Sequence, residues 1–175
     1  MLPKPKCPVI AIEEHYWDAE LASHFTGIEA GRPGDTQRRL DDLGALRLKE
    51  MDDAGIDVQV LSHGAPSAQK IGADIAVALT RRVNDRLHQA IAAHPTRFAG
   101  FAALPTADPE AAADELERCS VTLGFKGAMI HGLAHGKFVD DRQFWPIYAP
   151  DQERQGFAEM AEDDLQARVG FENAA

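Results

Sequence analysis

Cysteine is scarce in this chain of 175 residues, where only Cys7 and Cys119 occur, far apart and outside any Cys-x-x-Cys pair. This scarcity argues against a disulfide framework and against a zinc knuckle, and it fits a reducing compartment, so a cytoplasmic protein is expected. No stretch reaches the ~20 apolar residues that a transmembrane helix needs. Segment 1–6 is basic, but the apolar stretch after it is too short for a secretory signal.

Positive charge is also in short supply. The chain has 18 Lys and Arg against 28 Asp and Glu, which gives a formal net charge of −10. This balance argues against a nucleic acid or an anionic membrane as the main partner. Because 45% of the residues are hydrophobic, the chain can bury a core. A small molecule or a second protein is the favoured partner.

Short apolar runs alternate with helical patterns along the chain. Runs rich in β-branched residues predict strands, the first of them buried on both faces, while apolar residues spaced by three or four predict helices. Segment 16–36 has several Gly and Pro breakers and predicts a long loop that covers a pocket. The predicted strands span 8–12, 57–62, 98–104 and 125–130, and the predicted helices span 41–54, 71–91 and 109–123.

Alternation of this kind, with short connections, is typical of a parallel sheet with helices outside it. The predicted fold class is therefore α/β, with the first four βα units of a (β/α)8 barrel followed by a C-terminal helix. In half a barrel, strands one and four would leave backbone groups unpaired at their edges. We therefore expect a homo-oligomer.

Four passages, in this order and spacing, resemble the amidohydrolase-related decarboxylases, a family that includes γ-resorcylate decarboxylase and aminocarboxymuconate-semialdehyde decarboxylase. The likeness runs from about Val9 to Tyr148 and identifies this part as the N-terminal half of a TIM barrel. The passages are residues 12–15, 47–56, 97–105 and 123–132.

The resemblance implies that Glu13 and His15 bind a divalent metal, zinc or manganese. Residues two apart on a strand point to the same side, so both side chains would enter the barrel at its C-terminal mouth. A carboxylate and an imidazole suit either metal. Taken alone, Glu-x-His is also typical of a polar strand end that meets solvent.

Other candidates lie at the ends of the later predicted strands. His131 would act in catalysis, by holding the substrate or transferring a proton, or it is an exposed loop histidine. Ser62, His63 and Pro105 are candidate substrate-binding residues. Tyr16 and Trp17 would wall an aromatic pocket or pack in the core. His24, on the first loop, is a weaker candidate, and His88 and His94, on or after the long helix, are expected at the surface, remote from the mouth.

The family pattern breaks after Tyr148. A helical pattern over 157–169 replaces the expected fifth strand, and the end of the chain resembles the family's terminal segment. We therefore divide the chain into residues 1–149 and 150–175. The second part is either the family's terminal segment, joined to the first half by an internal deletion, or a frameshifted or unrelated tail. The family's remaining histidine and aspartate ligands have no counterpart here.

The resemblance implies nonoxidative decarboxylation of an aromatic, hydroxybenzoate-like carboxylic acid, with this shortened form inactive. Metal-dependent hydrolysis within the same superfamily would use the same Glu13 and His15, so the first half of a barrel does not separate the two reactions. A third interpretation is a half-barrel without catalytic activity, either a degenerate fragment or a module that pairs with another chain.

Overall fold

The structure of the protein, a computed structural model, describes residues 5–148. The predicted helix over 157–169 and the predicted junction after residue 149 lie outside this range. Within it, no helix has the length and apolar content needed to cross a membrane. The strands are β1 (Ile10–Tyr16), β2 (Val58–His63) and β3 (Phe98–Gly100), and the helices are α1 (Ala19–Ala22), α2 (Asp35–Asp41), α3 (Ala45–Ala54), α4 (Ala73–Ala93), α5 (Pro109–Glu117) and α6 (Trp145–Tyr148).

The three strands form one parallel sheet in the order β1, β2, β3. Strand β1 pairs with β2 in a register that sets His15 opposite Ser62, after a bulge between Ala11 and Glu14. Parallel strands end at the same edge of a sheet, so the polar ends of β1 and β2 meet there. The sheet agrees with the predicted partial barrel of the α/β class.

Helix α4 follows its prediction closely, because Leu79, Val83 and Leu87 recur every four residues and are fully buried. Helix α5 begins where predicted, with the Asp108 side chain accepting a hydrogen bond from the Ala111 N–H at 3.1 Å. The core cluster joins these helices to the sheet.

The region of the first loop and helix differs from its prediction. The predicted loop 16–36 contains α1 and a 3₁₀ turn at Gly27–Glu29. Helix α2 lies almost wholly ahead of the predicted helix 41–54, which begins only at Ala45, as α3, after a division from α2. The division lies at Asp42, whose side chain accepts from the Arg47 N–H at 3.1 Å. A side chain that binds backbone N–H groups in this way starts a new helix instead of continuing the old one.

The fourth predicted strand, 125–130, is not a regular strand. It runs beside the end of β3 with a single parallel bridge between Ala102 and Ala128. Gly127 has a φ of +139°, which interrupts the extended conformation. The predicted third strand, 98–104, likewise ends early, at Gly100. The prediction of four regular strands is therefore wrong within the described range.

Strand β1 is also less buried than predicted. Ile10 is 39% exposed and Ile12 is 60% exposed, so the strand is not covered on both faces within residues 5–148. Among these residues β1 pairs with β2 alone. Its other edge therefore presents backbone donors and acceptors next to exposed apolar side chains.

This open edge of β1 predicts self-association of the chain, because unpaired strand edges bind other strands. Replacing Ile12 with lysine should shift the assembly toward monomer, since a charge on an edge strand opposes pairing. Sedimentation velocity over a wide concentration range measures the shift, and Val121→Lys, at an exposed apolar position away from β1, is the control. A wild-type chain that stays monomeric throughout contradicts the prediction.

Candidate metal and substrate site

His15 and Ser62 form the centre of the site. Their opposed positions on β1 and β2 bring His15 Nδ1 to 2.9 Å from Ser62 Oγ. Ser62, predicted to bind substrate, is fully buried and contacts His15 instead of lining an open pocket, and His15 is half-buried. Metal-binding histidines usually have one ring nitrogen held by a hydrogen bond of this kind, which directs the other nitrogen toward the metal.

Glu13 lies in the β1 bulge and is exposed. A bulge redirects a side chain relative to the regular alternation of a strand. Burial lowers the pKa of His15, and the charges of Glu13 and Glu14 oppose that shift. Carboxylate oxygen and imidazole nitrogen are donors that zinc and manganese accept. These two donors fit part of a metal site, although within residues 5–148 no group of three or more His, Cys, Asp or Glu could hold an ion.

His131 completes the cluster from the other side. Its ring centroid lies 5.3 Å from that of His15, with the planes at 67°, and its Nε2 lies 2.8 Å from the backbone oxygen of His63. Burial, and after it the His131 ring, lower the pKa of His15 below its usual value. The neutral imidazole that results is the form that binds metals.

His63 takes a different position from the one predicted. Neighbouring residues on a strand point to opposite sides, so when Ser62 faces His15, His63 faces the helices. Its ring stacks on Trp17 at 5.0 Å between centroids and meets Phe25 edge-on. The side chain is 2% exposed and therefore does not line the mouth, although its backbone oxygen holds His131.

Other sequence candidates are also placed by the structure. Pro105 is fully buried, and Tyr16 and Trp17 are buried in the core cluster. Pro105 therefore contacts core residues and not an open pocket. His24 is exposed, His88 lies beside the Leu123 backbone oxygen, and His94 packs on Phe98.

A groove of about 730 Å³ opens beside His131. One wall comes from segment 28–33 and the other from segment 65–70, together with Leu133. The Arg32 guanidinium carbon lies over the Trp17 ring, 4.9 Å from its centroid, and the guanidinium donates a hydrogen bond to the Ala65 backbone oxygen at 3.3 Å. The groove thus joins apolar walls to a guanidinium group next to the histidine pair.

Two buried side chains that support the site were missed from the sequence. Arg47 donates from Nη2 to the backbone oxygen of His15 at 2.8 Å, and Gln69 binds the backbone of His131. Their partners lie 32 and 62 positions away along the chain. In the sequence, the only signal for these roles is the residue type, since both side chains carry several hydrogen-bond donors.

Burial of His63 predicts a pH-dependent stability. Burial lowers the pKa of His63 to about 4 from a usual value of 6.5. The unfolded chain therefore binds a proton more readily than the folded chain, and the stability present above the unfolded pKa is lost as the pH falls toward the folded one. Between about pH 7 and about pH 5 this loss should reach about 2 kcal/mol.

Urea unfolding of wild type and His63→Phe at both pH values tests this loss. The variant should lose less stability over the interval than wild type, because residue 63 no longer takes up a proton on unfolding, while the contribution of His15, whose pKa is also lowered, is common to both proteins. The neighbouring Asp18 carboxylate is paired with Arg86 at 2.7 Å and its pKa is lowered, so it stays ionised in this window. The exposed His24→Gln variant is the control, and equal slopes for wild type and His63→Phe contradict the prediction.

The sequence matches the model of the Amidohydrolase family over residues 10–169. It is 40% identical over 158 residues to γ-resorcylate decarboxylase of Rhodococcus jostii, covering 89% of this chain and 48% of that protein. The chain thus spans about half the length of the relatives it matches, in their N-terminal part.

Solved structures give the same picture. Dihydroxybenzoic acid decarboxylase of Polaromonas sp. JS666, which contains manganese and the inhibitor 2-nitroresorcinol, superposes with a TM-score of 0.69 at 37% identity over 81% of this chain and 45% of that one. A 2,6-dihydroxybenzoate decarboxylase bound to 2,6-dihydroxybenzoate gives a TM-score of 0.72 at 39% identity over 81% and 46%. The predicted resemblance is confirmed, and manganese in a relative agrees with the predicted zinc or manganese.

Proposed function

Because the chain belongs to the amidohydrolase family, we propose that it supplies the N-terminal half of a metal-dependent active site that decarboxylates hydroxybenzoate-like aromatic acids without oxidation. The observation that carries the proposal is the cluster of His15, Ser62 and His131 at the strand ends. It occurs in a chain similar to decarboxylases of dihydroxybenzoates. We place this activity in the cytoplasm, in a homo-oligomer.

Glu13 and His15 would hold the metal, with Ser62 fixing the ring of His15. A bound divalent ion supplies Lewis acidity and orients the substrate carboxylate and the adjacent oxygen. Ser62 is fully buried, so its hydroxyl is screened from bulk water and keeps its bond to Nδ1. The remaining ligands would come from outside the described residues.

His131 would move the proton. Its ring centroid lies 5.3 Å from that of His15, and the residue lines the groove. A proton added to the ring carbon that bears the carboxylate allows the carbon–carbon bond to break. Carbon dioxide leaves, and the proton takes its place on the ring. A histidine suits this role because its pKa is near neutral pH in water.

The groove would hold the aromatic ring. Pro33, Pro66 and Leu133 give it apolar walls, and Arg32 places a positive charge at one side, while the two other charged residues of the lining, Glu29 and Lys70, pair with each other. Arg32 forms no ion pair with a carboxylate among residues 5–148. An anionic aromatic ligand matches both properties, in a protein whose net charge of −10 would otherwise repel it.

A chimera tests the proposal. Residues 1–148 are joined to the part of R. jostii γ-resorcylate decarboxylase that follows the matched region, and the product is assayed with manganese for CO2 release from 2,6-dihydroxybenzoate and for hydrolysis of esters and lactones. We expect CO2 release that is lost in His15→Ala and kept in the remote His94→Ala. A folded chimera that binds manganese yet only hydrolyses esters or lactones would replace decarboxylation by hydrolysis.

A further inference from the structure

The side-chain amide of Gln69 is buried, and it both donates to and accepts from the backbone of His131. It lies on the 3₁₀ turn Ser67–Lys70 and is 2% exposed. Its Oε1 accepts from the His131 N–H, and its Nε2 donates to the His131 backbone oxygen at 3.1 Å and to that of Leu133 at 3.4 Å. This is the pair of hydrogen bonds that a neighbouring strand would otherwise give.

The chain needs such a substitute at this point. Beside β3, the hydrogen bonds of the fourth segment end with the Met129 N–H donating to the Ala102 oxygen at 3.1 Å. His131 comes two residues later, beyond that pairing, and Gly132 follows it with a φ of +66°. Without Gln69, the partly buried backbone groups of His131 would lack these partners.

The same arrangement occurs at the end of β3, away from the site. Asn84 is fully buried; its Oδ1 accepts from the Ala103 N–H at 2.9 Å and its Nδ2 donates to the Ala103 oxygen at 3.0 Å. Two side-chain amides therefore replace strand partners where the two strand segments end. Only the Gln69 amide holds a residue of the histidine pair.

We infer that Gln69 is a positioning residue that fixes His131 relative to His15. It holds the backbone of His131, while the His63 oxygen holds the ring at 2.8 Å. With both ends fixed, the ring stays 5.3 Å from the ring of His15. The inference rests on the proposed function for the catalytic role of His131, but the geometry that it predicts can be measured without any catalysis.

The test compares Gln69→Glu with Asn84→Asp. Each change exchanges an NH2 group for oxygen at nearly constant volume, so a carboxylate that cannot donate faces backbone oxygens. In Asn84→Asp it also faces the Glu115 carboxylate, to which Asn84 Nδ2 donates at 2.8 Å, so this control is the more severe change but lies away from the histidine pair. Both variants should lose thermal stability. Only Gln69→Glu should lose the nuclear Overhauser effect between the His15 and His131 rings in the histidine-labelled 175-residue chain, and only it should lower CO2 release in the chimera.

The outcomes distinguish a failure of the positioning role of Gln69 from a failure of the proposed function. An inter-ring effect that persists in a folded Gln69→Glu protein, or that is lost equally in Asn84→Asp, overturns the positioning role. If Gln69→Glu does not fold, Gln69→Met, which removes the donor and the acceptor without adding charge, takes its place under the same criterion. If the wild-type chimera releases no CO2, the proposed function fails while the ring measurement still decides the role of Gln69.

Discussion

Replacing Arg47 with methionine should lower the free energy of unfolding by about 3 kcal/mol, because several acceptors lose their donor at once. Arg47 is 7% exposed, and its guanidinium donates to the backbone oxygens of His15, Arg39 and Asp42 at 2.8 to 3.0 Å. It also donates to the side chain of Gln59 at 3.2 Å. Methionine fills similar space and donates to none of them.

The loss should be partial with lysine. Arg47→Lys keeps the charge but has a single ammonium in place of a planar fork, so it cannot reach all of these acceptors. The matched control is Arg38→Met, because Arg38 is 62% exposed in its side chain and pairs with Asp35 on the surface. Its expected change is within about 0.5 kcal/mol.

Urea denaturation followed by circular dichroism gives the three values. The expected order of destabilisation is Arg47→Met, then Arg47→Lys, then Arg38→Met. If Arg47→Met costs no more than Arg38→Met, the buried hydrogen bonds of Arg47 are not what joins α2, α3 and the end of β1. Water that enters and binds the freed oxygens would be the physical reason for such a result.

Helix α4 could be predicted from the sequence because its signal is local. Apolar residues at helical spacing over 21 residues leave one buried face, and the structure keeps it. The division between α2 and α3 could not be predicted in the same way. Leu43 and Leu46 continue the apolar spacing across it, while the cause is a set of hydrogen bonds to the Asp42 side chain.

The proximity of some site residues could be predicted, because His15, Ser62 and His131 come together at the strand ends as their positions in the sequence indicated. Their roles in metal binding and catalysis stay predictions. His63 was placed at the mouth because it ends β2, but consecutive residues cannot both face one side of a strand. Gln69 and Arg47 act through contacts across the fold, which spacing along the chain does not reveal.

The purified 175-residue chain should bind a divalent metal weakly and release no CO2 from hydroxybenzoates above a protein-free control. Glu13 and His15 supply two donors, and residues 5–148 hold no group of three or more that could complete a site. All seven histidines lie in that described part, since 149–175 has neither histidine nor cysteine. Catalytic zinc sites usually take about three protein ligands and keep one position open.

Self-association should not restore the activity. A second copy would bring another Glu13 and His15 to the mouth, which raises the number of donors without placing them where the missing strands of a barrel would. The measurement is CO2 release with added zinc or manganese, together with manganese binding by electron paramagnetic resonance, for wild type and His15→Ala. The chimera is the positive control. Because His15 is the only histidine that the family pattern assigns to the metal, metal-dependent turnover that disappears in His15→Ala would mean that the chain builds a working site by itself, and the half-site proposal would be wrong.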